Sequence, residues 1–196
     1  FTVGLNMRIF PLYLLLQLLQ LLRADVQRLD DQDVASVERA ARGHDAEWVL
    51  TAIEEMQRRY GMGEASSLGR RKIHTADGML SVLGGELQEE GVFGVKTYTT
   101  FPGKYRFHIT LYSSKTGKLL AFLQANRLGQ VRTGATTGVA AKYLARQDAE
   151  VLGILGTGFQ AFTQLQAVCK VRPIRAIKAY SRGRENLERF AHAASE

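Results

Sequence analysis

Three features of this sequence have residue types and spacing suited to chemistry: a glycine-rich turn, a basic tip after a short strand, and isolated cations in structured runs. The turn lies in "VLGILGTGFQAFTQLQAVCKV", residues 151–171, where Gly156, Gly158 and Ala161 fit G-x-G-x-x-A. In that pattern the first glycine permits a tight turn and the second lets a pyrophosphate approach the backbone. The third small residue allows helix and strand to pack closely. Gly156, Thr157, Gly158, Phe159 and Gln160 are therefore a candidate phosphate loop. "AEVLGIL" before it reads as a buried strand, the segment after it as a helix, and "RAIKAYSR" as a second strand. Where an acid would bind a ribose 2′-hydroxyl, this strand ends in Ser181 and Arg182. An arginine there suits a 2′-phosphate, so NAD or NADP is expected, with a tilt towards NADP. Cys169, on the apolar side of the helix with Leu165 and Val168, is expected in the core.

Two further cations stand out. In "GVFGVKTYTT" Lys96 lies on the strand face opposite Phe93 and Val95, either as a solvated edge charge or as an anchor for an anion. In "NRLGQVRTGATTGVAAKYLARQDAE", Ala135, Val139, Ala140, Tyr143 and Leu144 mark a helix beginning near Thr133. Arg132 is then expected just before that helix or in its first turn, beside free N–H groups that favour a carboxylate or phosphate. An arginine paired with a surface acid is the other reading. No metal site is assigned.

The elements that must position these residues are mixed. "YRFHITLYSS" and "KLLAFLQA" read as strands joined by the turn "SKTG", with Phe107, Ile109 and Leu111 sharing one face. Upstream, "DDQDVASVERAARG" and "HDAEWVLTAIEEMQRRYG" read as helices. Asp45 can cap the second, Trp48, Val49, Ala52, Ile53 and Met56 line its apolar face, and Arg58 and Arg59 complement its dipole.

Bulk composition excludes several classes. With 196 residues, 45% hydrophobic and 23% charged, the chain has the make-up of a soluble globular protein. A single cysteine rules out an internal disulfide framework and suggests a cytoplasmic setting. The net charge of +7 comes from scattered residues, and "GRRK" at 69–72 is too short to track a nucleic acid. The chain opens on Phe1. Its first methionine, Met7, precedes an apolar stretch that Pro11, Gln17 and Gln20 break before it is long enough to span a bilayer. Neither a nucleic acid nor a membrane is an expected partner.

From about residue 20 onward, "GVKTYTT", "LYSSKTGKLLAFLQANRLGQVRTGATTGVAAKYLAR" and "VLGILGTGFQAFTQLQAV" with "AYSR" resemble the ornithine cyclodeaminase/μ-crystallin family. The resemblance implies an α/β fold. An NAD(P)-binding Rossmann domain, incomplete in this chain, would be preceded by an α+β substrate-binding and dimerisation domain, usually in a homodimer. The expected boundaries are an N-terminal extension over 1–23, the substrate domain over 24–147 and the first part of the Rossmann domain over 148–196. By position, Lys96 resembles the family lysine that contacts the substrate carboxylate, and Arg132 the arginine between substrate and nicotinamide. Arg71 in "RRKI" resembles an earlier carboxylate-binding arginine, although Arg70 could take that place. Gly156 to Gln160 match the phosphate loop, and Ser181 and Arg182 the adenosine ribose end. Lys96 and Arg132 would both be catalytic, meeting an amino- or imino-acid carboxylate. The implied activity is NAD-dependent deaminating cyclisation of ornithine to proline and ammonia. The alternatives are an NAD(P)H-dependent ketimine reductase, an amino-acid dehydrogenase, or a μ-crystallin-like protein that binds NADPH or a small ligand without catalysis. The chain ends in "NLERFAHAASE" with no counterpart of the family's later strands or acid–base aspartate. It is therefore expected to be a fragment, inactive alone, with sheet edge and apolar surface uncovered.

Overall fold

The structure, a computed structural model, describes residues 46–195. The expected extension over 1–23, the helix over 30–43, the Asp45 cap and the side chain of Trp48 lie outside what it describes. Among the described residues the chain forms two compact units, one of 55–129 and one of 46–54 with 130–195. Mixed α/β architecture is what the sequence led us to expect, and it is what the structure has.

Helix α1, Ala46–Gly61, carries the expected apolar stripe, with Val49, Ala52, Ile53 and Met56 buried. Within the first unit, Arg59 in its last turn bridges Glu55 at 2.8 Å and Glu90 at 3.1 Å, tying the helix end to a sheet turn. The sheet is an antiparallel meander of five strands in sequence order: β1 Ala65–His74, β2 Met79–Leu87, β3 Val92–Phe101, β4 Lys104–Ser113 and β5 Leu119–Gln124. Three of these are the expected strands; β1 and β2 are additional. Cross-strand partners Leu83, Lys96 and Ile109 share one face, which also carries the buried Leu87, Val92, Leu111 and Ala121. Ile109 and Leu111 are fully buried, each contributing about 1.5–3 kcal/mol by leaving water. Strand β1 contains a bulge between Leu68 and Arg71.

Helix α2 runs Asn126–Leu144, so it starts well before Thr133, and Arg132 sits in its second turn. The expectation of a first-turn arginine is thus corrected. The Ala125 N–H bonds Phe107 O (2.9 Å) and continues the sheet, while Ala125 O accepts from Gly129 (2.9 Å), so strand passes into helix without a loop.

In the second unit, β6 Val151–Leu155 leads through the glycine turn to α3 Ala161–Val171, then β7 Ala176–Tyr180 and α4 Arg184–Ser195. Strands β6 and β7 pair in parallel, as a β–α–β unit requires. Ala161, Leu165 and Phe190 form the core here, against Leu152, Ile154, Ile177 and Ala179. The expectation of a buried β6 is met on one face only. Val151 and Leu155, 55% and 89% exposed, point the other way, because α3 packs on the Leu152–Ile154 face. Cys169 is exposed, which corrects its assignment to the core. At about 100° per residue it falls a step beyond Leu165, outside the arc that Ala161, Thr163, Leu165, Ala167 and Val168 bury.

Helices α2 and α3 pack through glycine. A Cβ on Gly134 would lie 2.3 Å from Thr163 O, and one on Gly138 would lie 2.9 Å from Ala167 O. These two glycines, inside the expected helix, let two backbones touch. Arg172, just after α3, donates to Lys142 O (2.6 Å) and Ala145 O (2.9 Å), satisfying carbonyls at the end of α2.

Candidate functional site

The glycine turn has the geometry of an anion cradle. Gly156 follows β6 with φ +94°, a conformation that disfavours any side chain, and its N–H bonds Tyr180 O (2.8 Å) at the end of β7. Gly158 needs no such conformation, and a Cβ there would meet nothing within 4 Å. Among the described residues neither packing nor backbone strain calls for a glycine at 158. Gln160 occupies the N-cap of α3 without a side-chain cap bond, the Ala161 N–H bonds Gly158 O (3.0 Å), and the positive end of the helix dipole lies at the turn. Thr157 Oγ1 and Gln160 Oε1 are buried without a hydrogen-bond partner, a cost of about 1–3 kcal/mol each unless something polar binds there.

Gly156, Thr157 and Gly158 share a cavity of about 580 Å³ with Ser181, Arg182 and Asn186, next to the ends of β6 and β7. Its lining contains no carboxylate. Phe159 and Gln160 line an adjoining groove of about 460 Å³ on the α3 side. The structure therefore sets the glycine turn, Ser181 and Arg182 around adjoining cavities and adds Asn186, while Arg132, also expected at the cofactor, lines neither. Arg189 donates to Asn186 Oδ1, which turns the amide nitrogen of Asn186 away from that bond.

In the first unit, Lys96 is 4% exposed on the inner face of the central strand β3, which excludes a solvated edge charge. Its Nζ lies over the rings of Phe107 at 4.9 Å and Tyr98 at 5.7 Å, contacts that offset part of the cost of burying an ammonium. The Arg70 guanidinium stands over the same Tyr98 ring at 5.8 Å. Arg71 instead pairs with Val82 and, through it, Thr97, on the opposite face of the sheet. Strict alternation from buried Ala65 puts Arg71 on the Lys96 face. The bulge sets both Gly69 and Arg70 against Leu83 and reverses that phase. Lys96 and Arg70 are brought together; Lys96 and Arg71 are not.

Arg132 is half-buried on α2, in the second unit. Gln130, one half-turn earlier, donates from its side-chain amide to Phe159 O, and its own carbonyl accepts from Thr163 Oγ1 at 3.2 Å. The sequence reading did not single out Gln130, Asn186 or Tyr98. The nearest signal for Gln130 was its place inside "QVRTGA" beside Arg132. Among the described residues no cluster of His, Cys, Asp or Glu could hold a metal, and no helix is long and apolar enough to cross a membrane.

The ornithine cyclodeaminase/mu-crystallin family model matches residues 31–196. The chain is 35% identical over 138 residues to alanine dehydrogenase from Archaeoglobus fulgidus, a match spanning 67% of this chain and 42% of that protein. It is similar to Δ1-pyrroline-2-carboxylate reductase from Thermococcus litoralis, solved with NADH and L-proline, at TM-score 0.72 and 30% identity over 88% of this chain. It also resembles the probable ornithine cyclodeaminase from Bordetella pertussis, at TM-score 0.71 and 30% identity over 77% of this chain. It covers 52% and 49% of those two chains, so it spans about half the length of its relatives. With its strand order, glycine cradle and buried lysine, the chain belongs to the ornithine cyclodeaminase/mu-crystallin family.

Proposed function

We propose that the protein moves a hydride between a nicotinamide dinucleotide and the α-carbon of a small amino or imino acid, as an NADPH-dependent ketimine reductase. The observation that carries this reading is Lys96, buried on the inner face of the sheet, with the exposed Arg70 guanidinium over the same Tyr98 ring: two cations converging on one ring favour a carboxylate between them. Arg70, rather than Arg71, is the arginine we assign to the carboxylate. Arg132 keeps the role the resemblance implies, a cation serving substrate and cofactor.

The cradle suits a dinucleotide. The open approach to Gly158, the start of α3 and the Thr157 hydroxyl suit a pyrophosphate, which accepts, while Gln160 Oε1 suits a donor such as a ribose hydroxyl or a bound water. Ser181, Arg182 and Asn186, with no acid beside them, suit a ribose 2′-phosphate. The dinucleotide, when bound, supplies or accepts the hydride. The chain's own residues hold the carboxylate with Arg70 and Lys96 and shield it from water behind the Phe107 and Tyr98 rings. Such a site discriminates against decarboxylated analogues, which offer no anion to the Lys96 ammonium or the Arg70 guanidinium.

Deaminating cyclisation of ornithine with NAD is the second reading, favoured by the likeness to the probable ornithine cyclodeaminase. It needs the same carboxylate anchor. We further propose a cytoplasmic homodimer. Its support is the outer sheet face, where Leu68, Ile73, Phe93 and Phe122 are exposed and Phe93 stacks on Tyr112 at 5.5 Å. The deciding experiment compares turnover of Δ1-pyrroline-2-carboxylate with NADPH and of L-ornithine with NAD in the full-length protein, in wild type, Arg70→Met and Arg71→Met. Arg70→Met is expected to raise KM at least about tenfold, as loss of a charged hydrogen bond does. Arg71→Met should leave KM unchanged. The opposite order overturns the carboxylate assignment.

A further inference from the structure

The cations and the glycine cradle leave one buried polar arrangement unexplained: the double link between α2 and the turn before α3. Gln130 is 9% exposed and its amide donates to the carbonyl of Phe159 inside the phosphate loop. Because that partner is a carbonyl, the amide nitrogen must face it. In return, Thr163 Oγ1, 4% exposed, has its one proton shared between Gln130 O at 3.2 Å and Gln160 O at 3.1 Å. One turn further along α2, Gly134 brings the helix backbone against Thr163 O.

Three contacts therefore join residues 130–134 to residues 159–163, and Arg132 lies in the middle of the first segment. Two of them set a buried side-chain donor on a backbone carbonyl, and the third is a backbone approach. A shift of the loop relative to Arg132 strains these buried hydrogen bonds.

We propose that Gln130 is a positioning residue that couples dinucleotide binding at residues 156–160 to the placement of Arg132. This rests on the proposed function, since it takes the glycine turn as the dinucleotide site. Phe159 O is fixed by Gln130, which sets the plane of the next peptide and so the direction of the Gln160 N–H at the start of α3. A bound pyrophosphate orders the loop and, through the same amide, holds the second turn of α2. The ligand that reports Arg132 should then bind better once the dinucleotide is in place, and the dinucleotide better once that ligand is in place, by the same factor.

The test uses the full chain, NADPH, and pyrrole-2-carboxylate as a planar carboxylate probe. The dissociation constant of each is measured by calorimetry with and without the other. Wild type is expected to show reciprocal tightening of about fivefold or more, the low end of ordinary coupling. Gln130→Leu, which keeps bulk and removes the donor, is expected to weaken NADPH about fivefold to tenfold and to bring the reciprocal factor to one. Gln130→Lys, which restores a donor of similar reach, should recover the coupling. A residue that only stabilised the fold would lower the melting temperature and leave the reciprocal factor unchanged. If Gln130→Leu does not fold, Gln130→Met is measured in its place, with the same criterion. Wild-type coupling in the apolar variant overturns the inference, and so does a wild type that binds both ligands without coupling. Failure of wild type to bind any nicotinamide dinucleotide overturns the proposed function itself, and this inference with it.

Discussion

Adding one methyl group at two positions of α2 should change stability in opposite directions. Gly129 and Gly134 lie in the same helix, and neither has a positive φ. A Cβ on Gly129 would meet nothing within 4 Å, so Gly129→Ala should gain the helix preference of alanine, up to about 1 kcal/mol. At Gly134 the same methyl would sit 2.3 Å from Thr163 O and 2.5 Å from Thr163 C, both backbone atoms. Restoring ordinary contact requires the two helices to part by roughly 1 Å. Overpacking of this kind costs about 1–3 kcal/mol and exceeds the helix gain. For a chain of this size each kcal/mol moves the melting temperature by about 2–4 °C. Gly134→Ala should therefore melt about 2–8 °C below wild type, and Gly129→Ala as much as about 4 °C above it. Thermal denaturation followed by far-ultraviolet circular dichroism reads both. Equal stability of the two variants would refute the account of α2 and α3 as packed backbone to backbone.

Two further outcomes are expected. Arg182→Ala should weaken NADPH by at least about tenfold and leave NADH nearly unchanged, because only the 2′-phosphate offers a charged partner; equal losses in fluorescence titrations would show the guanidinium resting on the adenine instead. Glu55 is held at about 2, well below its ordinary value, by hydrogen bonds from Arg58 and Arg59. Its folded-state pKa is depressed, so its contribution is complete above the unfolded value near 4.5 and is lost as pH falls through about 2. Urea midpoints of wild type and Glu55→Gln should therefore converge across that interval, and a constant gap would count against the pairing.

Much of the architecture was legible because its signals are local. The glycine turn combines a tight-turn glycine, a ligand-side glycine and a small packing residue within six positions, and all three have those surroundings in the structure. Alternation along β3 set Lys96 on the face opposite Phe93 and Val95, but only the packed sheet shows that this is the inner face. What escaped depends on contacts distant in sequence. The apolar spacing that marks α2 begins only at Ala135, so the turns from Asn126, with Gly129 in them, and the true position of Arg132 did not show. Cys169 falls just past the edge of a buried arc whose width is set by α2 and the sheet. Arg70 and Arg71 exchange faces through a bulge that no alternation rule contains.

That bulge also bears on how copies of the chain meet. Strand β1 is an outer strand of its sheet, and a regular outer strand offers its unpaired N–H and C=O groups to any passing strand. Here the ladder is interrupted between Leu68 and Arg71, and the interruption is followed by Arg70, Arg71 and Lys72, three exposed cations in a row. A second β1 approaching edge to edge would meet a kinked backbone and a like charge. The irregularity that turns Arg70 to the Lys96 face thus closes one route to continuous, fibre-like sheet growth.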